Sequence, residues 1–290
     1  MFQRCRKIKL PLSSLPQNLT NGRDMFGGCY VAELPLSTLP SGLTDVTSMF
    51  ENCYNAKLPL STLPSGLTDC SRMFTQCSAA ELPLSSLPDN ITNANNMFYN
   101  CSSAILPLST LPDTIINSNN MFQNCSSAIL PLSSLPPKLV SAEFMFDNCQ
   151  KAELNLRELP STLINTQRMF RYCYNADLNF ATLPDNITNI GGMFGSINKH
   201  PVVIHNLPAN VEYTNGMFYN CHTAVVNLDE LAANAPEEGW TKLKNIIYMF
   251  RNAGSANTPG TVTGSRSAFL AKCPNVTESF DVFDGTNTTE

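Results

Sequence analysis

Eleven cysteines and three histidines are the residues of this 290-residue chain whose chemistry could reach beyond packing. Thiolates are nucleophiles, soft metal ligands and disulfide partners, and imidazoles serve as general bases and zinc ligands. The spacing argues against each of these uses. Cys5, Cys29, Cys53, Cys77, Cys101, Cys125, Cys149, Cys173 and Cys221 recur at one place in a repeating unit, so their side chains point the same way. Parallel Cβ vectors suit a disulfide poorly, and no Cys-x-x-Cys pair seeds a zinc site. The expectation is a reduced, buried column of small side chains, with no metal and no cofactor. His200 and His205 are an odd number of residues apart and face opposite sides of an extended stretch, and His222 follows Cys221 directly. No Ser-His-Asp or Cys-His arrangement and no glycine-rich phosphate loop can be assembled, so the chain is not expected to be an enzyme.

The element that positions the cysteines is announced by Met-Phe. This dipeptide returns every 24 residues from Met1 to Met217, and an eleventh copy, Met249-Phe250, follows after 32 residues. A fixed period of this length marks a stack of coils, each burying its apolar side against its neighbours. Numbered from Met as position 1, positions 8, 10 and 12 (Ala104, Leu106, Leu108) are apolar and alternate with Ile105, Pro107 and Ser109. That alternation predicts a short half-buried strand, pairing in parallel with its equivalent one coil away. Proline at position 11, from Pro11 to Pro131, cannot donate to the ladder and limits each strand to three or four residues. Leu-Pro at positions 15 and 16 turns the chain out, and an apolar residue at position 19 re-enters the core. Thr or Asn near position 20 is expected to cap a brief helical turn carrying Met and Phe inward.

Phe-x-x-Cys followed by an apolar strand and a polar return resembles the BspA-type leucine-rich-repeat surface proteins, over roughly residues 1–230. The unit departs from that pattern with Ala at position 8 and with Leu at position 15, where typical leucine-rich repeats place an Asn ladder. The resemblance implies an α/β repeat solenoid, a right-handed leucine-rich-repeat-like superhelix with short parallel strands on one face and short helices or turns on the other. It also implies a place at the cell surface or outside it, and adhesion or recognition of a protein or glycan partner, there or on a phage-type appendage. Domain limits follow from the repeat: coils over 1–231, an expanded last coil and C-terminal cap over 232–283, and a flexible tail over 284–290. The cap holds the only tryptophan, Trp240, and a helix predicted from Ser265 to Lys272. The chain opens in mid-pattern, which suggests an alternative role as a spacer or assembly subunit docking a partner chain through its N-terminal coil.

A net charge of −5 gives no reason to expect nucleic acid or an anionic membrane as partner. No apolar run of signal-peptide or membrane-spanning length occurs. On the outward positions 9, 11 and 13, Lys9, Glu33, Lys57 and Glu81 alternate in sign and support register. Ile105 and Ile129 break that run, bordered by Pro107, Pro131, Ser109 and Ser133. These six form the candidate binding surface, against the plainer reading of two isoleucines packing on each other. Tyr30, Tyr54 and Tyr174 at position 6, with Tyr99 and Tyr219 at position 3, either shield the rim of the core or contact a ligand. The Asn-x-Ser/Thr sequons follow from Asn at positions 4 and 18 and are incidental.

Overall fold

The computed structural model describes residues 2–5, 12–30, 34–55, 58–79, 82–104, 106–254 and 261–286. They fall into two compact units. Unit 1 is Met1–Leu139 with Met145–Glu153, and unit 2 is Val140–Phe144 with Leu154–Glu290. The division lies inside the repeat. Each unit is a stack of the coils that the period announces, a repeat solenoid.

In unit 1 the core is a set of columns. Phe2, Phe26, Phe50, Phe74, Phe98, Phe122 and Phe146 stack face to face, with centroids 5.4–5.7 Å apart and planes within 4–8°. Met49, Met73, Met97 and Met121 are fully buried beside them, as are the leucines of positions 10 and 12 from Leu34 to Leu130. The inward and outward alternation expected of positions 8 to 13 is present: Leu106 and Leu108 are buried while Pro107 and Ser109 are exposed.

The expected helical turn at Met-Phe is not what forms. Around Phe26 three overlapping turns replace it, closed by the amides of Met25, Gly27 and Cys29 on the carbonyls of Gly22, Asp24 and Phe26. The third residue of the first and last turns has positive φ: Asp24 and Gly28 here, Asn96 and Asn100 three coils on. That is the type II pattern, and asparagine accepts the left-handed region more readily than most residues. A left-handed residue every fourth position forbids helix. It also swings alternate amides outward to the neighbouring coil. Ala94, Asn96, Phe98 and Asn100 donate to the carbonyls of Asn117, Asn119, Met121 and Gln123 at 2.8–2.9 Å, and equivalent bonds recur along the stack.

Position 21 supports the first turn. The Asp69, Asn93 and Asn117 carboxyl or amide oxygens accept the backbone N–H two residues on, at 2.8–3.2 Å. Parallel bridges join Asp69 to Asn93 and Asn93 to Asn117. The polar ladder missing at position 15 therefore stands at position 21.

Among the described residues of unit 1 no strand forms, whereas unit 2 has five. They are β1 (Asn155–Leu156), β2 (Asp177–Leu178), β3 (Val202–Val203), β4 (Ala224–Asn227) and β5 (Thr261–Thr263), with helices α1 (Leu228–Ala233) and α2 (Arg266–Ala271). β1 to β4 appear where position 11 has changed from Pro to Asn155, Asn179, Val203 or Asn227, residues that keep the N–H proline lacks. All pairs are parallel, in sheets β1-β2 and β3-β4-β5. Asn155 faces Asp177, a slip of two residues from the repeat, which keeps every side chain on its own face.

The Phe column of unit 2 runs Phe170, Phe194, Phe218, Phe250 and then Phe283, a further rung outside the Met-Phe series. Phe180 wedges between Phe170 and Phe194 and widens that step to 6.3 Å. Ser265 caps α2 by accepting the Ala268 amide, as expected, and Asn227 caps α1 by accepting those of Asp229 and Glu230. Trp240 is fully buried against Phe269 of α2. In the segment expected to be a flexible tail, the Asp284 carbonyl accepts the Asn252 amide at 2.8 Å and Thr286 accepts from Arg266. Residues 287–290 of that tail lie outside the described residues.

Two substitutions rank these features. Phe98→Ala removes a rung from a stack that cannot collapse around the gap, and should cost about 3–5 kcal/mol. Asn117→Ala removes one turn-closing bond and should cost about 1 kcal/mol. Urea denaturation of both variants tests the order; equal losses would contradict it.

Candidate functional site

The thiols come first, because their chemistry is the sharpest. All eleven cysteines are free, and ten of them are buried. Their Sγ atoms do more than fill space. Cys53 donates to the Phe26 carbonyl at 3.2 Å, Cys77 to Phe50, Cys101 to Phe74, Cys125 to Phe98 and Cys149 to Phe122, all at 2.9–3.1 Å for the last four. The same carbonyl already accepts the cysteine amide of its own turn, so each thiol supplies a second bond across the coil boundary. Cysteine suits the place because it is small, largely apolar and still a weak donor. Cys70 is the exception. It occupies position 22, beside Met73 in the core and not in the thiol column.

Burial pushes the Cys53, Cys70 and Cys221 thiols up to about 12, and Cys77, Cys125 and Cys149 also well above their ordinary value. A thiol held protonated is neither nucleophile nor metal ligand. Among the described residues no group of three His, Cys, Asp or Glu side chains could hold a metal. The buried hydroxyls at position 22 are likewise structural: Ser118 donates to Met145 Sδ at 3.1 Å, and in unit 2 Thr214 donates to Met249 Sδ at 3.2 Å. His205 Nδ1 lies 2.9 Å from Glu230 Oε1, which ties β3 to α1.

The candidate contact surface is on unit 1. Ile129 is 46% exposed, and Pro107, Pro131, Ser109 and Ser133 are exposed with it. Ile105 lies outside the described residues, as do Lys9, Glu33, Lys57 and Glu81. Beneath this face the backing is fixed. Leu106, Leu108, Leu130 and Leu132 are buried to within 1%. Leu130 has φ of 43°, and its carbonyl accepts the Leu132 amide, while the Ile129 carbonyl accepts the Glu153 amide at 2.6 Å. A leucine in the left-handed region costs about 1–2 kcal/mol and persists only where its surroundings over-determine it.

Sequence reasoning missed exposed Ile116 in unit 1, at position 20, 44% accessible where the preceding coils carry Thr20, Thr44, Thr68 and Thr92. The break in the Thr series was the readable signal. In unit 2 Ile164 takes the same position and is 45% exposed. The tyrosines divide. Tyr30 and Tyr54 stack on each other at 5.1 Å, whereas Tyr174 and Tyr219 are more than a third exposed. In unit 2 Arg171 lies over the Tyr172 ring and Arg251 over Tyr248, each 5.0 Å from the centroid. The sequon residue Asn124 donates its side-chain amide to Asn100 Oδ1 at 2.6 Å, within a ladder that Asn148 continues.

The thiols set a pH dependence. The Cys53, Cys70 and Cys221 thiols stay protonated beyond pH 9.0, where the ordinary thiol ionises, up to about 12. A raised folded pKa gives stability that is whole below the unfolded value and is lost as pH climbs through the interval to the folded one. The urea midpoint should therefore fall above pH 9.0, and less steeply in Cys53→Ala/Cys77→Ala. A midpoint that holds or rises there would contradict the buried thiol column.

The arrangement is that of a leucine-rich repeat. The chain is similar to a leucine-rich repeat protein from Bacteroides ovatus ATCC 8483, with a TM-score of 0.55 and 16% identity over 100% of this chain and 86% of that one. A leucine rich cell surface protein from Faecalibacterium prausnitzii A2-165 matches more loosely, with a TM-score of 0.38 and 14% identity over 89% of this chain and 80% of the other. No curated protein matches. The fold implied by the BspA-type resemblance therefore holds. One family model matches residues 20–135, 68–183 and 140–262, so the chain belongs to the family described as Mycoplasma protein of unknown function, DUF285.

Proposed function

We propose that this chain is a non-catalytic recognition protein that binds a macromolecular partner, protein or glycan, through the outward positions of its repeat. The reading rests on one observation. On unit 1 an exposed isoleucine, Ile129, stands among exposed Pro107, Pro131, Ser109 and Ser133 on a face backed by fully buried leucines. Pre-ordered backing lowers the entropy lost on association, and an apolar centre with a polar surround is the usual anatomy of a contact patch. Burial keeps the Cys53, Cys77, Cys125 and Cys149 thiols protonated and hydrogen-bonded to carbonyls, which favours binding over catalysis there. The resemblance to BspA-type surface proteins supports a setting at a cell surface or on a phage-type appendage. No helix among the described residues is long and apolar enough to cross a membrane.

The test is binding of the whole chain to printed glycan and protein arrays, with wild type and Ile129→Asp compared. Wild type should mark discrete spots, and Ile129→Asp should weaken them about tenfold or more, the size of a 1.4 kcal/mol loss, with an unchanged melting temperature. Full retention of binding by the folded variant would remove this face as the site.

A further inference from the structure

Unit 1 has a lateral hollow of about 460 Å³ on its turn edge, separate from the face carrying Ile129. Its origin lies in the repeat. Positions 3 and 4 of successive coils form two columns of side chains, and in the second coil both are glycine, Gly27 and Gly28. At position 3 the missing rung separates the coils of Gln3 and Glu51 by about 10 Å, two inter-coil spacings. The space over Gly27 is open, since a Cβ there would meet only backbone atoms, the Asp24 and Ser48 carbonyls at 3.5 Å, whereas at Gly28 the Arg4 stem closes in to 3.3 Å. Gly195 leaves a similar gap in unit 2, and there the Arg171 stem closes in to 3.3 Å.

The walls are chemically mixed. Gln3 and Arg4 stand on one side, Glu51 and Asn52 on the other, with Asp24 and Tyr30 completing the rim. Amides, carboxylates and a guanidinium converge there as donors and acceptors, and Tyr30 offers a ring whose plane is fixed by stacking on Tyr54 within 6°. Tyr54 is held in turn by its hydroxyl, which donates to Gln76 Oε1 at 2.7 Å. The volume is that of small-molecule sites. One guanidinium against two carboxylates disfavours an anionic guest, and the density of polar groups disfavours an apolar one.

We infer that the hollow over Gly27, floored at Gly28 by the Arg4 stem, binds a neutral sugar residue, its hydroxyls paired by Asp24, Glu51, Asn52 and Arg4 and its ring against Tyr30. This goes beyond the macromolecular contact proposed at Ile129, and the two can fail separately. The decisive variant is Gly27→Tyr. Position 3 already carries Tyr99 and Tyr219 in other coils, and Gly27 does not have positive φ, so a tyrosine restores the column without strain. Glu51→Gln is the second variant, keeping shape while removing one strong acceptor.

The experiment titrates the isotope-labelled full chain with glucose, galactose, mannose, N-acetylglucosamine and glucuronate, following backbone amide shifts. At least one of the four neutral sugars should shift Gly27, Gly28 and Glu51 saturably. Gly27→Tyr should lose that response, Glu51→Gln should weaken it several-fold, and Ile129→Asp should leave it unchanged. Three results would overturn the inference: no response to any neutral sugar, an equal response to glucuronate, or undiminished binding by Gly27→Tyr.

Discussion

Everything in these units depends on the backbone bonds that join one coil to the next at the Met-Phe turns. Amides at positions 22, 24, 2 and 4 donate to carbonyls at positions 21, 23, 1 and 3 of the following coil. They can do so only because positions 24 and 4 accept positive φ, so that alternate N–H groups leave the coil instead of closing a helix. With that geometry set, identical positions must superpose. Phenylalanines then stack within 4–8° in unit 1, and each thiol reaches the Phe carbonyl of the preceding coil. The side-chain columns follow from the backbone ladder and seal it from water, which strengthens every bond within it.

Much of this was legible in the residues. The 24-residue period, the inward leucines, the reduced cysteines and the cap at Ser265 all rest on spacing or on local bonding, which sequence displays directly. The effect of proline was legible only in part: it is expected to shorten each strand to three or four residues, whereas among the described residues strands form only in unit 2, where position 11 is no longer proline. The helical turn at Met-Phe failed for a physical reason. Thr and Asn near position 20 were read as caps, while the stronger signal, Asn96 and Asn100 flanking Met-Phe, meant left-handed residues. Phe283 was hidden because Val282 replaces methionine in its pair. Thiol donation to a carbonyl depends on how far one coil is offset from the next, and no spacing shows that.

What the columns leave over is the outward face. A repeat specifies the inside of every coil tightly and its outside loosely, so the informative surface positions are those that depart from their column. Ile129 departs by being apolar among charges, Ile116 by interrupting a threonine series, and Gly27 with Gly28 by having no side chain at all. Each departure stands on a backbone held by bonds to its neighbours. The result is a repeated frame whose outward side chains vary from coil to coil.

The central claim is the cross-coil ladder, and amide hydrogen exchange tests it most directly. Ala94, Asn96, Phe98 and Asn100 should exchange slowly and together, as should Cys70, Arg72, Phe74 and Gln76 one coil before. Ser109 and Thr110, whose amides make no hydrogen bond among the described residues, should exchange at nearly the rate of free peptide. Uniform exchange along the coil, or protection confined to the segment from Leu106 to Thr110, would contradict the account.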